Sequence, residues 1–435
     1  MGVRARWLSR LPALAALAGS TALTVYLGLA LSGARERTLF LPGQTSSAHH
    51  QIELACESCH SRFGGRAALE AACVRCHGEQ LAAVEDSHPR TKFTDPRNAE
   101  RVALLDARDC TTCHVEHRPE RIDAQGLTLP GDYCAYCHAE IGKERPSHSG
   151  IPFARCSESG CHNFHDNQAL YEDFLVAHAR EPEIRSPARV PARVRPADPR
   201  KRLAAHQHDA PAAASGAAIV AEWAASLHAA NGVQCSECHV RASEWANEPE
   251  RSSCDACHER EALAFRTGKH GMRLAAELPP MRPAFARLPM KADAATRELT
   301  CSACHSAHAL DTRHAAVEAC LECHDDAHSR AYEASSHAAL WRAEQRGELP
   351  EGSGVSCATC HMPRSHLTRG APANHDQSAN LRPNEKMART VCLACHGLQF
   401  TLDSLADQAL VRSCFGGRPA GAVESIHWAL ERSKP

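Results

Sequence analysis

The chain has 435 residues, a formal net charge of -2, only 5% aromatic residues, and 23 cysteines and 29 histidines. A charge this close to balance, with no Lys/Arg block interleaved with aromatics, lacks the electrostatic footprint of a nucleic-acid partner. So few aromatics give a thin side-chain core for such a length, and something other than side chains is expected to fill it.

In chain order, Arg4, Arg6 and Arg10 precede an uncharged run over residues 11–31 that includes Leu11, Leu14, Leu17, Leu23, Val25, Leu27, Leu29 and Leu31. This reads as an export segment. Its length reaches the roughly 20 residues that cross a bilayer, and the preceding arginines keep the N-terminus inside. Residues 1–44 are therefore expected to be an uncleaved membrane anchor. Cleavage after Ser32-Gly33-Ala34, leaving a soluble mature chain, is the alternative. Either way, the residues beyond about 40 are expected outside the cytoplasm, on the periplasmic side of a bacterial inner membrane.

Cys-x-x-Cys-His then occurs ten times: at Cys56/Cys59/His60, Cys73/Cys76/His77, Cys110/Cys113/His114, Cys134/Cys137/His138, Cys235/Cys238/His239, Cys254/Cys257/His258, Cys301/Cys304/His305, Cys320/Cys323/His324, Cys357/Cys360/His361 and Cys392/Cys395/His396. An eleventh site, Cys156/Cys161/His162, has four residues between its cysteines but keeps the histidine directly after the second. These sites use 22 of the 23 cysteines and leave Cys414 alone.

Structural zinc, a disulfide framework and covalent c-type haem compete for such pairs, and the histidine arbitrates. Zinc has no reason to place histidine immediately after the second cysteine. Haem does: two thioethers hold the porphyrin, and the next imidazole becomes the proximal iron ligand. Chance would put histidine after about one such pair in eleven, whereas it follows all of them. About eleven covalent haems c are expected, with His60, His77, His114, His138, His162, His239, His258, His305, His324, His361 and His396 as proximal ligands. At neutral pH they would add about 22 propionate charges to the chain.

Two groups of sites flank residues 181–218, which are rich in Pro, Arg and Ala. A five-haem domain over 45–180, a linker over 181–218 and a six-haem domain over 219–435 are expected. A long insertion packed on one continuous body is the alternative. The Arg run in this stretch (Arg180, Arg185, Arg189, Arg193, Arg195, Arg200, Arg202) reads as a solvated linker; binding of propionates, anionic lipid or an acidic cytochrome is its other reading.

Secondary structure shows as helix where it shows. Tyr171, Phe174, Leu175 and His178 share a face in 168–180, Val220, Trp223 and Leu227 in 216–230, and His337, Leu340 and Trp341 in 325–347. No segment sustains strand alternation. The predicted fold is mainly α with much irregular structure, a polypeptide wrapped around a chain of stacked haems.

Eighteen histidines remain for the opposite face of each iron. His117, His165 and His308 lie three residues after a proximal histidine and His328 four after, too close to reach over their own porphyrin. If they ligate, they take the iron of a neighbouring haem and draw the two porphyrins together. His178, His228 and His337, on helix faces, complete the candidate distal set. His49, His50, His88, His148, His270, His314, His366, His375 and His427 carry no ranking signal, and His206 and His208 read as linker residues. Cys414, beside Phe415, reads as a buried free thiol, with a reactive or bridging thiol as the alternative.

Two resemblances follow from these motifs. From Pro42-Gly43-Gln44 through His49-His50-Gln51-Ile52-Glu53 to Cys161-His162-Asn163-Phe164-His165, the chain resembles the small bis-histidine multihaem cytochromes related to cytochrome c3. The second half, with Gly268-Lys269-His270-Gly271-Met272, Cys320 to Ser329 and Cys357-Ala358-Thr359-Cys360-His361-Met362-Pro363, resembles the haem-packing core of the hydroxylamine oxidoreductase and cytochrome c nitrite reductase superfamily. Enzymes of that superfamily keep one haem open, which would imply reduction or oxidation of a small nitrogen or sulfur compound. The chain departs from them: no site has Lys as its proximal residue, no Tyr follows Tyr332, and 39 residues follow His396. The favoured expectation is an electron carrier between a donor, such as a quinol-oxidising membrane complex or another cytochrome, and an acceptor. The alternative is a haem oxidoreductase with one open site in the second domain, whose catalytic residues are unassigned.

Overall fold

A computed structural model describes residues 11–31, 37–61, 64–122, 126–151, 153, 156, 163–166, 170–190, 200–364, 371–381 and 386–434. Short helices and single 3-10 turns joined by irregular segments dominate it, and among the described residues the one ladder is the pair β1 (Val240–Arg241) and β2 (Glu244–Trp245). These strands pair antiparallel, Val240 with Trp245 and Arg241 with Glu244. The reversal runs through Ala242 and Ser243, both at positive φ, as a two-residue hairpin turn requires.

The first helix, α1 (Leu11–Leu31), carries no charge and leaves Leu14, Leu17, Leu23, Val25 and Leu29 exposed. Its side chains are described from residue 13 to 29, and among the described residues no helix is long and apolar enough to cross a membrane. Arg4, Arg6, Arg10 and the Ser32-Gly33-Ala34 cleavage motif lie outside the described residues.

The longest helix beyond it is α2 (Arg66–Ala83), which contains the whole second Cys-x-x-Cys-His motif. The helical expectation for 168–180 forms as α3 (Glu172–His178). That for 216–230 forms as two helices, α4 (Ala217–Ala225) and α5 (Leu227–Ala230), because Ser226 leaves the helical conformation and its hydroxyl caps the second through the Ala229 N–H. The break turns Leu227 outward, 39% exposed, while Trp223 stays buried, so the shared face expected of Val220, Trp223 and Leu227 does not run on. In 325–347 the same device divides α6 (Ala327–Tyr332), capped by Asp326, from α7 (Ser336–Gln345), capped by Ser335.

Side-chain core is concentrated at the C-terminal end. Leu175 of α3 packs with Met387, Val391, Leu398, Leu402 and Leu405 of α8 (Leu398–Ala406) and with Ile426 and Ala429 of α9 (Ser425–Arg432). Between residues 40 and 166, by contrast, the buried apolar side chains among the described residues are Ala55, Ala72 and Tyr133. Burial of apolar surface is the main drive to fold, and three such side chains supply little of it over this length.

Residues 181–190 are tied to the second group by backbone bonds, while most residues of 181–190 and 200–218 stay exposed and none is buried. Ile184 bridges to His396, the Arg185 N–H donates to the Cys395 carbonyl at 2.8 Å, and the Val190 N–H donates to Gly352 at 2.9 Å. Arg185 Nη1 also donates to the Leu393 carbonyl at 2.6 Å. Part of the Arg run, Arg193 and Arg195, lies outside the described residues. The two groups of sites also meet directly: Arg273 donates to the Gln51 carbonyl at 2.9 Å, Arg287 pairs with Glu53 at 3.2 Å, and Gln80 donates to Asp376 at 3.4 Å.

Candidate haem sites

Each described Cys-x-x-Cys-His motif closes a single turn. The histidine N–H returns to the first cysteine's carbonyl at 2.7 Å in Cys56–His60, 2.9 Å in Cys110–His114, 3.0 Å in Cys134–His138, 2.9 Å in Cys254–His258 and Cys320–His324, 3.0 Å in Cys301–His305 and 2.8 Å in Cys392–His396. In Cys235–His239, Cys357–His361 and α2 the motif is helical. A turn brings residues three and four apart to one side, so both thiols and the imidazole address one object. Local caps hold several turns in place. The buried Glu70 carboxylate accepts from the Cys110 N–H at 2.7 Å, Ser356 accepts from Thr359 N–H at 3.1 Å, and Asp209 accepts from Ser236 N–H at 3.1 Å.

Opposite every one of these ten histidines stands a second imidazole. Ring centroids are 5.9 Å apart for His77 and His49, 6.4 Å for His60 and His117, 6.4 Å for His114 and His165, 6.1 Å for His138 and His88, and 6.1 Å for His239 and His308. The remaining pairs are His258 and His228 at 6.0 Å, His324 and His270 at 6.1 Å, and His305 and His375, His361 and His328, and His396 and His337, each at 6.2 Å. Rings in contact would sit nearer 4 to 5 Å. Two imidazole–metal bonds of about 2 Å each, plus the distance from nitrogen to ring centre on both sides, give roughly 6 Å. The residues present fit an iron held between each pair.

The protonation of these rings suits ligation, which needs a neutral imidazole. Burial, reinforced by the facing histidines, lowers His270, His305 and His361 to about 4, and burial with His396 opposite does the same to His337. Outer nitrogens are anchored as well: Nδ1 of His117 meets the Gly43 carbonyl at 2.8 Å, His114 that of Gly126 at 2.9 Å, His88 that of Phe164 at 2.6 Å, His239 that of Ala246 at 2.7 Å and His328 that of Val411 at 2.6 Å. The hairpin of β1 and β2 has a place here, because it lays Trp245 on His239 at 4.8 Å.

Neighbouring sites touch through their thiols. Cys73 and Cys110 share a hydrogen bond that draws Cys73 down to about 7 and pushes Cys110 far up. Cys254 with Cys301 and Cys320 with Cys357 share hydrogen bonds of the same kind. Burial raises Cys304 to about 12 and pushes Cys360 up as well, out of the thiolate range, with the next site's cysteines adding to the shift in each case.

Among the motif cysteines, Cys59, Cys76, Cys254 and Cys257 are exposed, and the other described ones are partly covered.

Residues 48–139 match the family model of cytochrome c3. The match contains the first four Cys-x-x-Cys-His motifs with the facing histidines His49, His88 and His117, and it supports a multihaem c-type cytochrome that transfers electrons. No curated protein and no solved structure matches the chain. The six motifs of the second half therefore rest on their own geometry, and the resemblance to the hydroxylamine oxidoreductase superfamily finds no match.

Over the whole described chain, the candidate histidines fall out as follows. His117, His165, His228, His308, His328 and His337 each face a proximal histidine. His178 faces none among the described residues: its Nδ1 bonds Glu181 at 2.7 Å and its ring lies on Phe174. His49, His88, His270 and His375, which carried no ranking signal, complete four of the pairs. Of the eleventh site only Cys156 is described; Cys161 and His162 lie outside the described residues, as does His366. Cys414 is buried with Val317, Tyr332 and Trp341, and burial, with Asp326 adding, pushes its thiol up to about 11.

Proposed function

We propose that this protein is an exported electron-conducting cytochrome with about eleven covalent haems c, carrying electrons between a membrane or periplasmic donor and an acceptor. The facing histidine pairs carry the reading. In each, the chain supplies an imidazole from both sides at the spacing of one iron, and such a site passes electrons while offering a small molecule no vacant position. The cysteines would form the thioethers, and the first-group and second-group sites would make the two domains of a continuous conductor. The uncharged α1 helix, following three arginines, supports an N-terminal anchor that keeps the rest on the periplasmic side, where a quinol-oxidising complex or another cytochrome is the partner.

The enzymatic reading requires a proximal histidine without a partner, and none of the ten described pairs provides one. The experiment is low-temperature EPR of the ferric protein, with haem content measured by intact mass, before and after nitrite or hydroxylamine. Low-spin signals that neither compound alters are expected. A high-spin component that shifts on adding either compound would overturn the reading in favour of an open catalytic haem.

A further inference from the structure

We propose that Glu116 and Asp86 make the first group of sites the reducing end of the conductor, each by holding the outer nitrogen of an iron-ligating histidine. The inference rests on the reading of the facing pairs as ligand pairs. Glu116 Oε1 lies 2.6 Å from Nδ1 of His49, which faces His77. Its carboxylate is fixed from the other side by Ser46, whose N–H donates at 2.7 Å and whose hydroxyl donates at 2.8 Å. Asp86 Oδ1 lies 3.1 Å from Nδ1 of His165, which faces His114. The two sites are neighbours, since Cys73 of one touches Cys110 of the other.

Backbone carbonyls anchor outer nitrogens in both groups, but among the described facing pairs of the second group no carboxylate comes within hydrogen-bond length. There the outer nitrogens of His239, His328, His375 and His396 meet backbone carbonyls, at 2.7, 2.6, 3.0 and 3.0 Å. Among its described facing pairs the approaching carboxylates are Asp326, 3.7 Å from His324, and Glu261, 4.0 Å from His258, both beyond hydrogen-bond length.

A carboxylate acceptor draws the N–H proton toward itself and makes the imidazole a stronger donor through its other nitrogen. A stronger donor favours the oxidised, more positive iron and lowers the potential of that site. A neutral carbonyl does so less. Transfer of one electron from the first group to the second then oxidises one iron and reduces another, with no bond made and no proton moved, and it runs downhill.

The test is an optical redox titration of the full-length, haem-loaded protein and three variants, Glu116→Gln, Asp86→Asn and Glu53→Gln. Glu53 pairs with Arg287 and Thr45 and touches no imidazole, so its variant reports the loss of a nearby charge alone. Haem content and low-spin character are measured first; a chain without haem, or high-spin throughout, refutes the ligand reading beneath the inference. With the haems in place, Glu116→Gln and Asp86→Asn are each expected to move the low-potential limb upward and leave the high-potential limb unmoved, while Glu53→Gln leaves both. A low-potential limb unmoved in both variants, a shift confined to the high-potential limb, or an equal shift in Glu53→Gln overturns the inference. Should Glu116→Gln lose haem, Asp86→Asn decides alone.

Discussion

His328→Ala tests the assignment of ligands most sharply, because two sites compete for that side chain. His328 sits four residues after His324 in the sequence, yet its ring faces His361 at 6.2 Å, with the ring planes at 89°. Removing it deletes one hydrogen bond, to the Val411 carbonyl at 2.6 Å, a loss of about 0.5–1.5 kcal/mol, and one iron bond, while the packed C-terminal core and the thioether attachments are expected to persist. One iron of about eleven then lacks its second imidazole, and about one-eleventh of the ferric signal should pass from low to high spin. The ring angle identifies which. Perpendicular imidazole planes give a strongly anisotropic low-spin EPR signal, and near-parallel planes give a rhombic one. His328→Ala should remove intensity from the anisotropic class, whereas His165→Ala, whose ring lies 20° from that of His114, should remove it from the rhombic class. Retention of every low-spin signal in His328→Ala, or loss from the rhombic class, would refute the pairing.

Three other outcomes follow from the packing. A Cβ on Gly43 would meet the His117 carbonyl at 2.6 Å, and the Gly43 carbonyl is what holds the His117 ring, so Gly43→Ala should open the His60 site and give a high-spin signal on EPR. Leu402 is 3% exposed in the C-terminal core, and Leu402→Ala should cost about 2–5 kcal/mol, read as a lowered denaturant midpoint at unchanged haem content. Cys414 titrates at about 11 when folded and at about 8.5 when unfolded. Its contribution to stability is therefore whole below about pH 8.5 and lost as pH rises toward 11. Native protein at pH 8 should resist alkylation at Cys414 until denatured, and Cys414→Ser should flatten the alkaline arm of the stability curve.

The Cys-x-x-Cys-His turns were legible because they are local: two thiols and an imidazole on one turn need only a five-residue word. How far each thiol is covered is not local: Cys76 and Cys257 are exposed, while Cys113 and Cys304, second cysteines of the same kind of turn, are partly covered. The helices α3, α4 and α7 are legible too, since their apolar spacing is visible in their own residues, and the break at Ser226 is a capping event that Ser-Leu-His hints at only weakly. The facing histidines are harder. His117, His165, His308 and His328 betray themselves by lying too close to a proximal histidine to serve it, which is an argument from reach. His49 faces His77, 28 positions away, and His375 faces His305, 70 positions away; nothing in the flanking residues encodes such a pairing, which exists only once the chain has closed. His178 lies on the helical face read for it and has Glu181 on its outer nitrogen, as His49 has Glu116; the eleventh proximal histidine, His162, lies outside the described residues. The docking of 181–190 was hidden for a similar reason, because backbone bonds from Arg185 and Val190 leave no compositional trace.

Short tethers between ligands of different sites also explain how so few core side chains can hold the first group together. His114 and His117 are three residues apart, so their backbones lie within about 10 Å, yet one faces His165 and the other faces His60. If each ring binds an iron, the two irons are held one imidazole length from either end of that tether. The pattern recurs with His305 and His308, which face His375 and His239, and with His324 and His328, which face His270 and His361. Ligation of one site then fixes the backbone from which the next is ligated, so haem attachment becomes the folding reaction of the first group, where the three buried apolar side chains among the described residues cannot drive it. The same tethers keep adjacent sites close enough for electrons to pass without the chain between them moving. Fold stability and conduction thus depend on the same histidine pairs, and a chain made without haem attachment should leave residues 40–166 unfolded and protease-sensitive while α8 and α9 keep their packed core. Equal protection of both regions in limited proteolysis of the haem-free chain would break that link.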